Sequence, residues 1–103
     1  MIFLKKHASE QGLILAMCDQ ELIGKVLESG KIVLDLKKYA DFYKGELMSE
    51  EEASGVVEAE ELYSANVVGE RSVTIMIKNG VVGKDEVKKV AKVPFVQVFK
   101  MNF

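Results

Sequence analysis

Two apolar segments at the start of the chain have the length of β-strands. Residues 2–7 and 12–18 are rich in aliphatic side chains, and the mostly polar residues 8–11 separate them. A short connection between two such segments predicts a β-hairpin. Residues 13–18 do not alternate between apolar and polar side chains, so we expect both faces of the second strand to be covered, as in a central strand.

A second hairpin is predicted a few residues later. Residues 26–28 and 31–36 flank the pair Ser29-Gly30, where glycine can take the positive φ that a tight turn requires. Between the hairpins, the segment from Asp19 to Gly24 fits one helical turn, with the aspartate as N-cap and the glycine at its end.

Residues 49–63 carry the clearest helix start in the chain. Ser49 and Glu52 have the spacing of a capping box, and two further glutamates lie in the first turn, where the helix dipole favours anions. Gly55 inside this segment costs about 1 kcal/mol relative to alanine. We therefore expect packing, and not propensity alone, to hold this helix.

The segment 71–79 fits two structures. Its β-branched residues alternate as in a strand, yet Asn66 as a cap, apolar residues at helical spacing and Asn79-Gly80 as a stop predict a helix. Periodicity alone does not decide between the two.

Two further strands are predicted in residues 87–93 and 95–101, on either side of Pro94. Proline has no N–H to donate to a ladder, so we expect it at a sheet edge or a strand start. The pattern predicts one α+β domain spanning residues 1–103: a mostly antiparallel sheet of five or six short strands, with the helices that start near Ser49 and Asn66 on one face.

Composition places this domain among ordinary cytoplasmic proteins. The 103 residues are 49% hydrophobic and 29% charged, and the single cysteine cannot form an internal disulfide. The longest apolar run, residues 13–18, is too short to span a bilayer, and the apolar start of the chain precedes Lys5-Lys6, the reverse of the order in a signal peptide. We expect no membrane association.

The formal net charge of −2 conceals a strong segregation of charge. Residues 45–70 contain eight glutamates and no lysine or arginine, whereas residues 71–103 contain seven basic and two acidic residues. This pattern is typical of a solvated acidic helix beside a lysine-bearing strand, or of a bipolar surface whose basic end meets phosphates or an acidic partner. The pI of about 5.5 argues against a generic nucleic-acid coat.

Four phrases keep a distinctive order along the whole chain: CD followed by ELIGK (18–25), FYKGEL (42–47), ANVVGERSV (65–73) and VPFVQ (93–97). Together they resemble an archaeal family of uncharacterised proteins, domain of unknown function 424. The resemblance implies a small α+β domain, a helix in the segment 66–79, and genes encoded near those for translation and ribosome assembly. Members of the family often carry histidine at the position of Phe95, so any chemistry of that histidine is absent here.

A Cys–His dyad is the first catalytic arrangement to consider, because Cys18 and His7 are each unique. The predicted hairpin places Cys18 opposite Met1, about 17 Å along the strand from His7, which favours structural roles for both. A thiol at Cys18, beside Asp19 and before a short helix, could be activated by a helix N-terminus. The simpler interpretation is that the aspartate caps and the cysteine packs.

The preferred small-ligand site is an anion site at a helix start. Backbone N–H groups, a cap amide and a guanidinium would converge there on an anion. Its candidate residues are Asn66, Gly69, Glu70 and Arg71, with Cys18, Asp19 and Lys25 as further members. The glutamates between residues 50 and 61 lack a histidine or cysteine companion, so no metal site is predicted, and no cofactor motif is present.

The basic C-terminal third gives a candidate nucleic-acid surface. Its residues combine charge with rings that can stack on bases, as in single-stranded RNA binding: Lys84, Lys88, Lys89, Lys92 and Lys100, with Phe95 and Phe99. Lysines on an edge strand equally prevent sheet aggregation.

Three functions follow from these features. The leading hypothesis is a non-catalytic binding module of translation or RNA handling that contacts RNA or the ribosome through the basic C-terminal third. The second is an enzyme or a binding protein for an anion or small molecule, using a pocket of Cys18, Asp19, Asn66 and Arg71. The third is a protein–protein adaptor or homodimer that pairs through the strand in residues 95–103. No catalytic signature is present, which disfavours an enzyme.

Overall fold

Eight β-strands and three α-helices make up residues 1–99, the part of the chain that the computed structural model describes. The strands are β1 (Ile2–Ser9), β2 (Gly12–Asp19), β3 (Val26–Ser29), β4 (Ile32–Asp35), β5 (Glu46–Met48), β6 (Leu62–Val68), β7 (Lys88–Val90) and β8 (Val93–Phe99). The helices are α1 (Ala40–Tyr43), α2 (Glu50–Ala59) and α3 (Glu70–Lys78), and 3₁₀ turns span Gln20–Leu22 and Lys84–Glu86. The predicted α+β class is confirmed.

Six strands form one sheet in the order β5-β1-β2-β6-β8-β7, and β3 pairs with β4 in a separate two-stranded sheet. All neighbours are antiparallel except β2 and β6, which run parallel. The sheet is therefore mostly antiparallel, as predicted. The hydrophobic pattern misses β5 and β6, and with them the parallel pair at the centre of the sheet.

Both faces of the central strand β2 are covered, as its continuous apolar run predicts. On one face, Leu15 and Met17 belong to the core beneath α2 and α3. On the other, Ala16 and Cys18 pack in a second cluster with Tyr43 of α1 and residues of the β3–β4 hairpin. Side chains of successive strand residues point to opposite faces, so one strand supplies both cores. None of the helices in the described part of the chain has the length and apolar character needed to cross a membrane.

The first hairpin is tighter than predicted. Ser9 pairs with Gly12, so the turn between β1 and β2 contains only two residues and the strands extend into the predicted connection. The register also places Phe3, and not Met1, opposite Cys18.

The capping box of α2 is confirmed. Ser49 Oγ accepts a hydrogen bond from the Glu52 N–H at 3.1 Å, and Glu52 Oε1 accepts one from the Ser49 N–H at 3.1 Å. The helix ends at Ala59, however, and Tyr63 lies in β6. The predicted extension to residue 63 is wrong because the chain enters the sheet at Leu62, which is buried, and β6 pairs with β2 and β8.

The helix predicted in residues 66–79 forms only from Glu70 onward. Asn66 lies within β6 and is not a helix cap. Its neighbours Ala65 and Val67 are each 1% exposed in the core beneath the helices, so strand burial overrides the capping signal at Asn66. The predicted stop at Asn79-Gly80 is confirmed: α3 ends at Lys78 and Gly80 has a φ of 70°.

Pro94 is the second residue of β8, in keeping with its predicted place at a strand start. The strand is not the free edge expected in residues 95–103, because β7 pairs with it from residue 93 to residue 95. Within residues 1–99, the side of β8 away from β6 has no strand partner from residue 96 to residue 99. The rest of the predicted strand lies outside the described residues.

Candidate functional site

Asp19 joins the end of β2 to the start of α3. Its Oδ2 accepts a hydrogen bond from the Arg71 N–H at 3.1 Å, and its Oδ1 accepts from the N–H and the hydroxyl of Ser72 at 3.0 and 2.8 Å. The aspartate is 3% exposed. It makes no side-chain cap to the 3₁₀ turn that follows it, so the predicted local cap is wrong. The parallel pairing of β2 and β6 brings this carboxylate to Arg71 of α3, 52 residues away in sequence.

Gly69 makes the close approach of Asp19 possible. This residue connects β6 to α3 with a φ of 109°, a conformation that side chains other than glycine rarely adopt. A Cβ at this position would collide with the carboxylate of Asp19. Both the backbone conformation and the packing therefore require glycine here.

Arg71 forms a second, exposed layer around the same helix start. Its Nη1 lies 2.6 Å from Glu21 Oε1 and 3.9 Å from Asp19 Oδ2. A hydrogen bond from its own backbone and the guanidinium of Arg71 lower the pKa of Glu21. The hydrogen bond to Glu21 in turn raises the pKa of Arg71.

The predicted anion site is thus occupied by the chain itself. Asp19 accepts hydrogen bonds from the backbone N–H groups that a bound anion would use, and Arg71 forms an ion pair with Glu21. Of the seven predicted residues, the structure brings together Asp19, Gly69 and Arg71, with Cys18 buried beside them and Glu70 exposed as the first residue of α3. Asn66 belongs to a different cluster, and Lys25 is exposed between the 3₁₀ turn and β3.

Cys18 is a buried thiol. It has no exposed surface, and burial together with the charges of Asp19 and Glu21 raises its pKa to about 12. His7 lies four residues along β1 from the partner of Cys18, about 13 Å away, and stacks instead on Phe42. The structure therefore forms no Cys–His dyad, and the structural interpretation of both residues holds. Residues 1–99 also contain no group of three or more His, Cys, Asp or Glu side chains placed to hold a metal.

A cavity of about 380 Å³ lies between the β3–β4 hairpin, α1 and the main sheet. It is lined by Val33, Leu34, Asp35, Leu36, Tyr39, Phe42, Tyr43, Asn66 and Gln97. Phe42 is fixed from two sides: His7 stacks on it with ring centroids 4.5 Å apart and an interplanar angle of 7°, and Tyr43 meets it edge-on at 5.1 Å. His7 Nε2 also lies 2.8 Å from the carbonyl oxygen of Phe42. These contacts favour one orientation of the Phe42 ring.

Two amides form the polar floor of this cavity. Asn66 of β6 and Gln97 of β8 are directly paired in the sheet, and Gln97 Nε2 donates a hydrogen bond to Asn66 Oδ1 at 3.2 Å. The sequence pattern points to Asn66 as a helix cap and anion ligand and gives no signal for Gln97. The signal for a polar floor is Asn66 between the apolar residues Ala65 and Val67, but its partner can be identified only from the register of the two strands.

The basic residues of the C-terminal third surround β7 at one edge of the sheet. Lys88 and Lys89 are consecutive residues of β7 and point to opposite faces; Lys84 precedes the strand, and Lys92 follows it in the turn to β8. All four are exposed. Within residues 1–99, ion pairs form only at Lys6 and Arg71, so none of these four lysines has a carboxylate within 4.0 Å. Lys100 lies outside the described residues.

Two aromatic residues adjoin these lysines. Phe95 is directly paired with Lys88 and is half-buried, whereas Phe99 is 71% exposed. A groove of about 180 Å³ is lined by both rings together with Glu86, Lys88, Val96 and Gln97. Gln97 therefore lines both this groove and the larger cavity. The four lysines therefore lie on different sides of the edge strand β7. Of these four, only Lys88 lies on the face of the sheet that carries Phe95 and Phe99.

Comparisons with known proteins agree with the fold. A family model described as "Protein of unknown function (DUF424)" matches residues 7–101. The crystal structure of an uncharacterised conserved protein from Methanopyrus kandleri is similar, with a TM-score of 0.82 and 24% sequence identity over 99% of this chain and 96% of that one. At this identity, the likeness shows the fold alone. No curated protein matches the sequence.

Proposed function

The chain belongs to the DUF424 family, and we propose that it is a non-catalytic domain that binds single-stranded RNA as part of translation or RNA handling. The observation that carries the proposal is the cluster of four exposed lysines around β7, none of which forms an ion pair with a carboxylate of the described residues. Unpaired cations at one edge of a domain attract phosphates, although the domain as a whole is acidic.

The aromatic residues beside the cluster favour a single strand over a duplex. Bases in a single strand are free to stack on aromatic rings, and each stacked base contributes about 1–3 kcal/mol. Phe99 offers an exposed ring and Phe95 a half-buried one, on the same groove as Lys88. A strand following this groove would place a phosphate at Lys88 and bases against the sheet, and it would reach the other three lysines by passing around β7.

The enzymatic alternative has less support from the geometry. A nucleophilic cysteine needs a low pKa and access to a substrate, whereas Cys18 is buried with its pKa raised to about 12. Asp19 and Arg71 are engaged with Ser72 and Glu21, and Asn66 lies with Gln97. The residues proposed for one pocket serve separate structural purposes.

A homodimer is the second candidate function. Among residues 1–99, no strand pairs with the side of β8 away from β6 from residue 96 to residue 99, and the exposed ring of Phe99 lies beside this edge. Pairing of two such edges would extend the sheet and cover this ring. Light scattering tests the candidate: a mass of 11.5 kDa at every concentration would exclude the dimer, and a mass that doubles with concentration would support it.

The test of RNA binding is fluorescence anisotropy with a labelled single-stranded RNA at several salt concentrations. Each neutralised phosphate contributes about −0.7 to the slope of log affinity against log salt. Contacts from all four lysines would therefore weaken binding about 50-fold between 50 and 200 mM salt. A duplex RNA of the same length serves as the comparison, and we expect it to bind more weakly because its bases are already stacked.

Charge reversal identifies the surface. In Lys88→Glu/Lys89→Glu, the loss of two contacts reduces the salt effect to about sevenfold, and affinity falls at least tenfold. The matched control is Lys44→Glu/Lys78→Glu, which changes the net charge equally at two exposed lysines elsewhere. The control should stay within threefold of the parent. Equal losses in the two variants, or no binding by the parent at low salt, would refute the proposed function.

A further inference from the structure

We propose that the cavity between the β3–β4 hairpin, α1 and the main sheet binds a single nucleobase, held between aromatic rings and read by the Asn66–Gln97 amide pair. The inference deepens the proposed RNA-binding function and rests on it for the source of the base, while its chemistry depends on the cavity alone. At about 380 Å³, the cavity falls in the range of roughly 300–1,000 Å³ found for ligand pockets.

The amide pair leaves a defined hydrogen-bonding set. The hydrogen bond between the two side chains uses an N–H of Gln97 and the carbonyl of Asn66. The NH₂ group of Asn66 therefore remains as a donor, and the carbonyl of Gln97 remains as an acceptor. If both amides are turned round, the roles exchange and the set is the same. Neither remaining group has a side-chain hydrogen-bond partner in residues 1–99. A ligand edge with an acceptor next to a donor would satisfy both.

Nucleobases carry such edges. Adenine offers a ring nitrogen beside its amino group, and asparagine or glutamine recognises this pattern with two hydrogen bonds. Flipped or single-stranded bases are bound in this way, by hydrogen bonds to one edge and by stacking between aromatic or apolar side chains. The floor of the cavity supplies the hydrogen bonds, and Phe42 of α1 together with Tyr39, the residue before α1, supplies the rings.

The rings around the cavity are suited to stacking. Phe42 already packs against His7 and Tyr43, which reduces the cost of ordering its ring when a ligand binds. Tyr39, in contrast, is 55% exposed at the cavity, and the Lys38 ammonium lies 5.5 Å from the centre of its ring. An exposed ring at the mouth of a cavity can cover a bound base, with the neighbouring ammonium available to its phosphate.

Continuity with the basic edge connects the cavity to RNA. Gln97 lines the cavity on one side and the groove of Lys88, Phe95 and Phe99 on the other. A strand that places one base on Gln97 in the cavity therefore brings its next nucleotides to this groove. The lysines supply affinity without sequence preference, and the amide pair supplies the contact to a base edge.

The experiment is a titration of the ¹⁵N-labelled protein with adenosine, guanosine, cytidine and uridine, followed by NMR. At least one nucleoside should shift the side-chain amide signals of Asn66 and Gln97. Gln97→Ala and Tyr39→Ala should each weaken its binding about tenfold or more. Both residues are exposed, so these variants should fold normally. Leu47→Ala, which removes an exposed apolar side chain at the opposite sheet edge, is the control and should bind as the parent does.

The outcomes separate this inference from the proposed function. If no nucleoside shifts the amide signals, and Gln97→Ala and Tyr39→Ala bind RNA as the parent does, the base site is refuted while RNA binding stands. If nucleosides bind at the amide pair but RNA does not bind at low salt, the base site stands and the ligand is a free nucleoside or nucleotide. Equal weakening by Leu47→Ala would also refute the base site.

Discussion

Replacement of Asp19 by alanine should destabilise the protein more than any surface substitution. The carboxylate of Asp19 accepts three hydrogen bonds from Arg71 and Ser72, and it does so at 3% exposure. It also ties the end of β2 to the start of α3, which packs against β2, β6 and β8. The substitution therefore acts on a contact between the sheet and the helix layer, and not only on a local cap.

The size of the effect follows from the groups left behind. Loss of a helix N-cap costs about 0.5–2 kcal/mol. Ser72 is completely buried, and the substitution removes the acceptor of its hydroxyl. An unsatisfied buried hydroxyl costs about 1–3 kcal/mol. We therefore expect Asp19→Ala to lower the free energy of unfolding by about 2–4 kcal/mol, or Tm by roughly 10–20 °C.

Urea unfolding followed by circular dichroism measures this loss. Asp19→Asn keeps one oxygen as acceptor but turns an NH₂ group towards an N–H donor, so it should fall between the parent and Asp19→Ala. Glu21→Gln, which breaks only the exposed pair with Arg71, is the control and should change stability by less than about 0.5 kcal/mol. A cost of Asp19→Ala no larger than that of the control would show that the carboxylate does not hold the sheet to α3.

Two further outcomes are expected. Gly69→Ala should lower stability by more than about 1 kcal/mol in urea, because alanine is strained at a φ of 109° and its Cβ would displace Asp19; Gly55→Ala, at an open helical position, should not destabilise. Burial raises the pKa of Cys18 from 9.0 to about 12, so the unfolded chain releases this proton first and stability should fall between pH 9 and 12. Urea midpoints at pH 8 and pH 10.5 should therefore differ more in the parent than in Cys18→Ala, and a folded thiol that iodoacetamide alkylates at neutral pH would contradict this reasoning.

Local interactions are the part of this fold that can be predicted from the sequence. The capping box of Ser49 and Glu52 is made within four consecutive residues, and each hairpin joins neighbours along the chain. The structure of such a segment depends on residues within the segment itself, so its local sequence is enough to predict it. The patterns therefore indicate these local elements correctly, with errors at their ends, such as the extension of α2 to residue 63.

The parallel pair β2–β6 could not be predicted in the same way. The segment around Asn66 combines a residue type that favours helix caps with β-branched residues that favour strands. Its position between β2 and β8 makes it a strand. The local pattern predicts Asp19 as the cap of the nearest helical turn, because no local pattern refers to Arg71, 52 residues away. For the same reason, the local sequence does not predict that the side chains of Asn66 and Gln97 are neighbours; their pairing follows from the register of β6 and β8.

The sheet order places the glutamate-rich helix and the lysine-rich strand near opposite edges of the sheet. The glutamates of α2 lie on a helix that packs against β1 and α3, and β1 adjoins the edge strand β5. The lysines around β7 lie at the other edge, beyond β2, β6 and β8. The glutamates of α2 and the lysines of β7 therefore lie towards opposite edges of the sheet, and both the groove of Lys88 and the cavity floor at Gln97 are on the side of β7. If the proposed function is correct, we expect a polyanion to be attracted by these lysines and repelled by α2, which would favour its approach from the side of the aromatic rings and the amide pair.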